Sequence, residues 1–429
     1  MTNSFVALAR GNASKRGMPG ERFTFVPHPV FGKTPQEMRR DIEGKDPVTG
    51  RPVMQEIVEA LTKPLTAEEK KSGFLPRPPN PRFLSPDTAD NLQQYFQDHG
   101  MTDYLPVILP TEEKVAAMLK GTSHGRDEVV GRMAGGAFDP WEYTVEQVAV
   151  NAVMAGARPE YFPVILALAA SGQASLYSST NSFAYSVVVN GPIRDEIKMH
   201  YRVGAMGPFS QANATIGRVW TLMSKNLANG GIAGETYLGS TGNNLNYNNL
   251  VIAENEADSP WNSLSVQLGY RPGESVISIF TGLGMQPGQL AKGGGISTKP
   301  RYDEQFLSVV SNFTTLFGAL VVCDPLIAKA LKEQGYDTKE KLIDWLYKNA
   351  VHTVREYKDA SFVLTFDLPR AQKGVEPFAS WFKLPDDAKI PIFIKPSDLT
   401  VVVAGGQTQA RFQAGNLRYT ASFSIDKWR

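Results

Sequence analysis

The sequence has few of the features that mark specialised classes of protein. Its 429 residues include one cysteine, Cys323, which excludes a disulfide within the chain and a zinc or iron–sulfur site built from several cysteines. Basic and acidic residues number 44 and 43, a balance that gives no signal for binding nucleic acid or an anionic membrane. The longest apolar run, Tyr161–Ala170, is too short to span a bilayer, and no export signal opens the sequence. We therefore expect a cytoplasmic protein.

Common catalytic motifs are also missing. The sequence contains no GxxxxGK[ST] or HExxH pattern, and no GxGxxG between a strand and a helix. The five histidines lack the spacing of metal ligands, so the sequence assigns neither a metal site nor a cofactor. Gly293–Gly295, flanked by Lys292 and Lys299, suits a phosphate loop, but no helix pattern follows promptly and a flexible loop or lid is favoured.

Composition and local patterns divide the chain into three parts. Residues 1–73 are predicted to form a small N-terminal α/β module. Residues 74–90 form a strap with five prolines between residues 74 and 86, which should be extended and semi-rigid. Residues 91–429 alternate helical and strand patterns, which predicts a multi-layered α/β body.

Two segments of the body share one pattern. Tyr185–Arg194 and Ala319–Ala328 each contain an apolar strand, a tight turn with a proline, and the start of a helix. A third strand, Leu399–Gly406, ends in a glycine turn. The pattern indicates either a duplicated βα unit or the ordinary form of any βα unit with proline at the first helical position. Cys323 ends the second strand and should be a buried, unreactive thiol.

Polar residues lie where buried elements end. Asn151 is the single polar side chain between Val148 and Ala157 in a predicted buried helix, and Arg158 and Glu160 flank a proline at its end. Asn190 and Arg194 follow an apolar strand, at the position where open α/β sheets bind ligands. Buried hydrogen bonding, a turn asparagine and solvated charges are the structural alternatives.

Three further segments are candidates for a site. Asn213 and Arg218 lie in a helix that should begin near Ser210, whose free N–H groups suit an anion as well as a plain cap. Residues 241–249 are rich in asparagine, which suits left-handed turns or ligand hydrogen bonds. Residues 254–258 carry three carboxylates directly after a strand. This pattern is typical of a general base with a companion carboxylate, of a site for a hard cation, or of a solvated turn.

From these segments we predict one set of site residues. Glu160 or Glu254 is the expected acid–base group, since a partly buried carboxylate can reach a useful pKa. The expected substrate-binding residues are Asn151, Arg158, Asn190, Arg194, Asn213 and Arg218.

Several of these segments together resemble a known family. They are residues 148–161, 189–193, 212–218, 253–256 with 259–261, and 402–406. As a set they are similar to bacterial UGSC-type (seleno)proteins, often described as thioredoxin-like and named for a selenocysteine-or-cysteine, Gly, Ser, Cys motif in an N-terminal redox-like domain. The resemblance extends from about Gly17 to Gly406.

The chain departs from this family at its reactive side chains. No UGSC motif is present, and residues 17–29 resemble only the tail of the redox-like domain. Ala157 stands where the family has cysteine, and Ser179–Ser182 replaces a Thr-Thr-His-Pro segment. The resemblance therefore implies that another polypeptide supplies the thiol, or that this member has abandoned thiol chemistry.

We expect a subunit of a bacterial enzyme that acts on a small polar or anionic substrate by reductase or lyase chemistry, with a partner carrying the cysteine motif. The alternatives are a non-catalytic ligand-binding or scaffold subunit, and a metal-dependent lyase or hydrolase using Glu254, Glu256 and Asp258. A homo- or hetero-oligomer is expected, because the lone strand predicted at residues 22–27 would leave both edges unpaired. Phe23, Phe25 and Phe31 are then expected at a contact between chains.

Overall fold

A computed structural model describes residues 1–72, 81–133, 141–288, 300–360 and 362–429, apart from the side chain of Lys15. Residues 73–80, which include the first part of the strap predicted at residues 74–90, lie outside the described residues. So do Gly293–Gly295 and the two flanking lysines. Where the structure describes the chain, no helix is both long enough and apolar enough to cross a membrane.

Helices and strands alternate along the chain. The helices are α1 Val6–Lys15, α2 Pro35–Glu43, α3 Val53–Thr62, α4 Ala89–Asp98, α5 Glu112–Leu119, α6 Val145–Met154, α7 Phe162–Ala170, α8 Ile193–Glu196, α9 Gln211–Asn226, α10 Leu264–Gln267, α11 Tyr302–Val310, α12 Pro325–Glu333, α13 Lys339–Asn349, α14 Val354–Asp359, α15 Leu368–Gln372 and α16 Phe378–Trp381. The strands are β1 Val129–Met133, β2 Trp141–Thr144, β3 Ala184–Asn190, β4 Leu250–Ala253, β5 Val276–Pro287, β6 Ala319–Cys323, β7 Val351–Thr353, β8 Lys389–Pro391, β9 Leu399–Val403 and β10 Phe412–Ser424.

Capping side chains mark where several helices begin, and the helix start predicted near Ser210 is confirmed. Thr34 and Glu37 form a reciprocal capping box on α2, and Thr144 and Gln147 form another on α6. The side chain of Ser210 accepts a hydrogen bond from the third residue of α9. Each side chain satisfies a backbone N–H that has no partner inside its own helix, which fixes where the helix begins.

The central sheet has six strands in the order β4-β3-β5-β10-β6-β9. The pairs β3/β4 and β6/β9 are parallel, and the three pairs between them are antiparallel. A two-fold rotation between β5 and β10 therefore exchanges β3 with β6 and β4 with β9, with strand directions preserved. This symmetry is the arrangement that duplication of one β-α-β-β unit would produce. The mixed sheet with its helices confirms the α/β fold.

The sheet is curled, so one of its faces forms a core of its own. One hydrophobic cluster takes residues from all six strands: Ala184, Val188, Ile252, Phe280, Leu320, Val322, Val402 and Leu417. The opposite face is covered by two separate helical layers. Alternate residues of β3, β4 and β5 pack with α6, α7 and α9, while those of β6, β9 and β10 pack with α11, α12 and α13. Each half of the sheet thus has its own helical layer, and the two halves share the inner core.

The prediction of a strand at residues 22–27 was wrong. This segment forms one isolated bridge, between Val26 and Thr2. The N–H of Val26 donates to the carbonyl of Met1, and the N–H of Phe25 donates to the carboxylate of Asp46. Part of the backbone of this segment is therefore hydrogen-bonded within the chain, without a neighbouring strand. Phe25 is buried, whereas Phe31 is exposed.

Candidate functional site

The carboxyl ends of the parallel strands from both halves of the sheet converge. Asn255, just beyond β4, donates its N–H to the carbonyl of Val403 at the end of β9, at 2.7 Å. Its side-chain amide donates to the carbonyl of Gly405 and to Asp258, both at 3.0 Å. Gly405 in turn packs against Asp324, the residue that follows β6. This convergence brings polar residues from distant parts of the sequence together.

Glu254 lies at the centre of this convergence and is fully buried. Its Oε1 pairs with Nζ of Lys339 on α13 at 2.7 Å. Its Oε2 accepts from Nδ2 of Asn190 at 2.6 Å and from the N–H of Leu264 at 2.7 Å. Both carboxylate oxygens therefore have partners within the protein, and the buried side chain has no access to solvent.

Asn190 ends β3 and connects two carboxylates. Its Nδ2 donates to Glu254 and also, at 2.9 Å, to Oε1 of Glu256. Because both neighbours are acceptors, the orientation of the amide is fixed, with nitrogen toward the carboxylates. Its Oδ1 is buried and has no hydrogen-bond partner among the residues that the structure describes. A buried, unpaired carbonyl in such a network indicates a place where a water or a ligand donor can bind.

The guanidinium group of Arg194 is used within the same cluster. Its Nε donates to the carbonyl of Gly191 at 2.9 Å, and Nη1 donates to the main-chain carbonyl of Glu254. Nη2 lies 3.3 Å from Oε2 of Glu256, and the group also stacks over the ring of Tyr201. Arg194 therefore joins the predicted cluster but holds protein groups rather than presenting a free charge to an anion.

Glu256 is a carboxylate of this cluster that reaches solvent, with its side chain 27% exposed. Besides Asn190, its Oε1 accepts from the N–H of Gly191 at 2.9 Å. Gly191 adopts a φ of +89°, and a Cβ there would lie 2.4 Å from the carbonyl oxygen of Glu274, so this approach of the backbone requires glycine. Glu256 is thus a partly exposed carboxylate held in one orientation by fixed donors.

Tyr201, Asp324 and Cys323, three ionisable groups near the cluster, have raised pKa values that favour their neutral forms. Hydrogen bonding to Asp195 raises the pKa of the Tyr201 hydroxyl. Burial raises the pKa of Asp324, although the N–H groups of Ile327 and Arg411 oppose the shift. Burial likewise raises the pKa of the Cys323 thiol, whose predicted burial is confirmed.

Two predicted binding residues are hydrogen-bonded inside the helical layer instead. Asn151 on α6 donates to the carbonyl of Gln147 at 2.9 Å and accepts from Asn226 on α9 at 2.8 Å. Asn213 on α9 accepts from the N–H of His200 and donates to the carbonyl of Val251 in β4. These contacts join helices to each other and to the sheet.

The three predicted charged residues outside the cluster are placed differently. Arg218 forms a two-bond ion pair with Asp103, at 2.8 and 2.9 Å, which ties α9 to the loop before α5. Arg158 and Glu160 are both exposed, and neither has an ion-pair partner in the part of the chain that the structure describes. Glu160 lines a separate cavity beside α8. The structure therefore brings together Asn190, Arg194 and Glu254 from the predicted set.

Lys339 is the member of the cluster that sequence reasoning missed. It is 85 residues from Glu254 along the chain, so no local spacing connects them. One signal was present. Lys339 follows the capping residue Thr338, and a cation in the first turn opposes the helix dipole unless a partner compensates it.

The three carboxylates of the metal-dependent alternative do not form a shared ligand set. Asp258 accepts from Asn255, Glu256 from Asn190 and Gly191, and Glu254 is paired with Lys339. Across the described ranges, no three His, Cys, Asp or Glu side chains are grouped so as to hold a metal ion. The site belongs to an α/β protein with a polar cluster at converging strand ends. No protein-family model, curated protein or solved structure matches the chain.

Proposed function

We propose that the chain is an enzyme subunit that binds a small polar substrate at the converging strand ends, with Glu256 as its acid–base group. The observation that carries the proposal is that Glu256 is partly exposed and yet held by Asn190, Gly191 and Arg194. Acid–base catalysis needs a carboxylate that reaches the substrate in a fixed orientation. Glu254 lacks this access and serves instead to hold Asn190 and Arg194 in place.

The arrangement favours a substrate with O–H or N–H donors over an anion. Arg194 and Arg218, the cations expected to hold an anionic group, are both engaged by protein acceptors. The groups left to bind a ligand are acceptors: the carboxylate of Glu256 and the unpaired Oδ1 of Asn190. Hydroxyl and amino groups are the partners that these oxygens require.

A panel of small polyols, hydroxy acids, amino acids and amines tests this proposal. Compounds that raise the melting temperature of the wild-type chain are titrated calorimetrically against the wild type, Glu256→Gln and Glu235→Gln, an exposed control. We expect Glu256→Gln to weaken binding about tenfold or more and the control to leave it unchanged, since a charged hydrogen bond is worth about 1.5–3 kcal/mol. Equal affinity in all three proteins would refute the site.

Turnover separates an enzyme from the alternative, a binding or scaffold subunit. Each bound compound is incubated with the chain and followed by NMR. We expect conversion that falls about a hundredfold or more in Glu256→Gln, the effect typical of losing an acid–base group. Binding without conversion would favour the non-catalytic alternative.

The resemblance to UGSC-type proteins adds a proposal about a partner. Because Cys323 is fully buried, a reaction that needs an accessible thiol cannot take it from this cysteine. We propose that a small subunit with the cysteine motif supplies it in an oligomer. Light scattering on the untagged chain, alone and co-expressed with such a protein, tests this. A stable, fully active monomer would refute it.

A further inference from the structure

A cavity that is separate from the cluster at Glu254 opens beside α8. Its volume is about 330 Å³. Pro163, Ile193 and Ile197 line its apolar part, and Glu160, Glu196 and Arg429 contribute charged groups. This volume is near the lower end of the range for small-molecule pockets, which is about 300–1,000 Å³.

The walls of this cavity are held by contacts of their own. Arg429 pairs with Glu196 at 2.7 Å and with Asp426 at 2.8 Å, which connects the wall formed by residues 426–429 to α8. On the opposite side, a Cβ at Gly121 would lie 2.0 Å from the carbonyl oxygen of Pro159, so these two backbones touch directly. Walls fixed in this way do not need to rearrange before a ligand enters, which lowers the cost of binding.

The charges around the cavity do not cancel. Its lining holds two carboxylates, Glu160 and Glu196, against one cation, Arg429, which is already paired with Glu196. Glu160 has neither an ion-pair nor a hydrogen-bond partner for its carboxylate within the described part of the chain, and Arg158 does not line the cavity. An excess of negative charge beside an apolar wall suits a ligand with an aliphatic body and one cationic end.

We propose that this cavity binds a small aliphatic primary amine, with its carbon chain against Ile193 and Ile197 and its ammonium group paired with Glu160. The proposal does not depend on Glu256 or on any reaction at the strand ends. It assigns Glu160, predicted as an acid–base group, to ligand binding instead.

The test uses n-pentylammonium chloride as the probe, with n-pentanol and sodium pentanoate as comparisons of the same chain length. Binding to the full chain is measured calorimetrically and by thermal shift at low ionic strength. We expect saturable binding of the amine, at least fivefold weaker binding of the alcohol, and none of the carboxylate. Glu160→Gln should weaken binding of the amine at least fivefold and leave binding of the alcohol unchanged, because the substitution removes only the charge.

Two further variants complete the test. Ile197→Phe should abolish binding of amine and alcohol alike by filling the cavity. Glu113→Gln, which removes an exposed carboxylate on α5, should change nothing. Equal binding of the three probes, or an unchanged amine affinity in Glu160→Gln, would overturn the proposal. Since Glu160 is exposed, its variant tests the proposal even if Ile197→Phe fails to fold.

Discussion

Glu254 and Lys339 form an ion pair of 2.7 Å, with both side chains almost completely buried. Glu254 follows β4 in one half of the sheet, and Lys339 begins α13 on the other half. The pair therefore joins the two symmetry-related halves beside the candidate site. A buried pair is tolerated only where hydrogen bonds satisfy its remaining polar atoms, as Asn190 and Leu264 do for Glu254.

Lys339→Met should destabilise the protein strongly, because it leaves the carboxylate of Glu254 buried without its cation. We expect a loss of about 3–5 kcal/mol in the free energy of unfolding, measured by urea denaturation. Lys341→Met is the matched control two residues along α13. Lys341 is exposed and pairs with Asp337 on the surface, so its loss should cost at most about 1 kcal/mol. Similar losses in the two variants would show that the buried pair contributes no more to the free energy of unfolding than the exposed pair does.

Much of the fold was predictable because its signals are local. Capping residues such as Thr34 and Thr144 satisfy helix N–H groups three residues away, so sequence alone places the helix starts. The same local logic failed at residues 22–27. Their apolar, aromatic pattern is typical of a strand, but strand formation depends on a neighbour, and the chain offers only a short segment at its N-terminus.

The candidate site was predictable only where strand ends define it. Asn190, Arg194 and Glu254 meet because they follow parallel strands β3 and β4, whose ends share one edge. Lys339 joins them through curvature of the sheet, which no spacing encodes. Arg218 is of a residue type that often binds ligands, but its partner Asp103 lies 115 residues away. The sequence therefore could not distinguish this ion pair from a contact with a ligand.

Asn190→Asp should destabilise the chain in a pH-dependent manner. The change replaces an amide donor by a third carboxylate, within hydrogen-bonding distance of Glu254 and Glu256. Like charges raise the pKa of the new carboxyl group in the folded state, so the penalty grows as pH rises. We expect a loss of about 3 kcal/mol at pH 7.5 and a smaller loss at pH 5, by urea denaturation. Asn181→Asp at an exposed position should show neither effect.

Cys323 should be inert in the folded protein. Burial raises the pKa of its thiol and shields it from reagents, so a chromogenic disulfide should label it only after unfolding. Cys323→Ala should leave any ligand affinity within about threefold while lowering stability by about 1–2 kcal/mol through lost packing. Rapid labelling of the native chain would contradict this and would restore a nucleophile to it.

Asp46 should make the N-terminal module sensitive to acid. Its carboxylate accepts N–H bonds from Phe25 at 2.6 Å, Val48 at 2.6 Å and Thr49 at 3.2 Å. Burial alone would raise the pKa of Asp46, but these hydrogen bonds hold it below the ordinary value of 3.8. A carboxyl group with a lowered pKa in the folded state stabilises fully above its unfolded pKa, and this stabilisation is lost as pH falls through the folded value.

Hydrogen exchange at the backbone N–H of Phe25, which donates its hydrogen bond directly to Asp46, measures this effect in the full chain. We expect Asp46→Asn to reduce protection at pH 7 by about 1–3 kcal/mol, because an amide nitrogen cannot accept the N–H bonds that the carboxylate accepts. The difference from wild type should shrink as pH falls below about 4. Glu43→Gln removes an exposed carboxylate from α2 and should leave protection unchanged. A difference that is constant down to acidic pH would show that Asp46 acts through its shape rather than its charge.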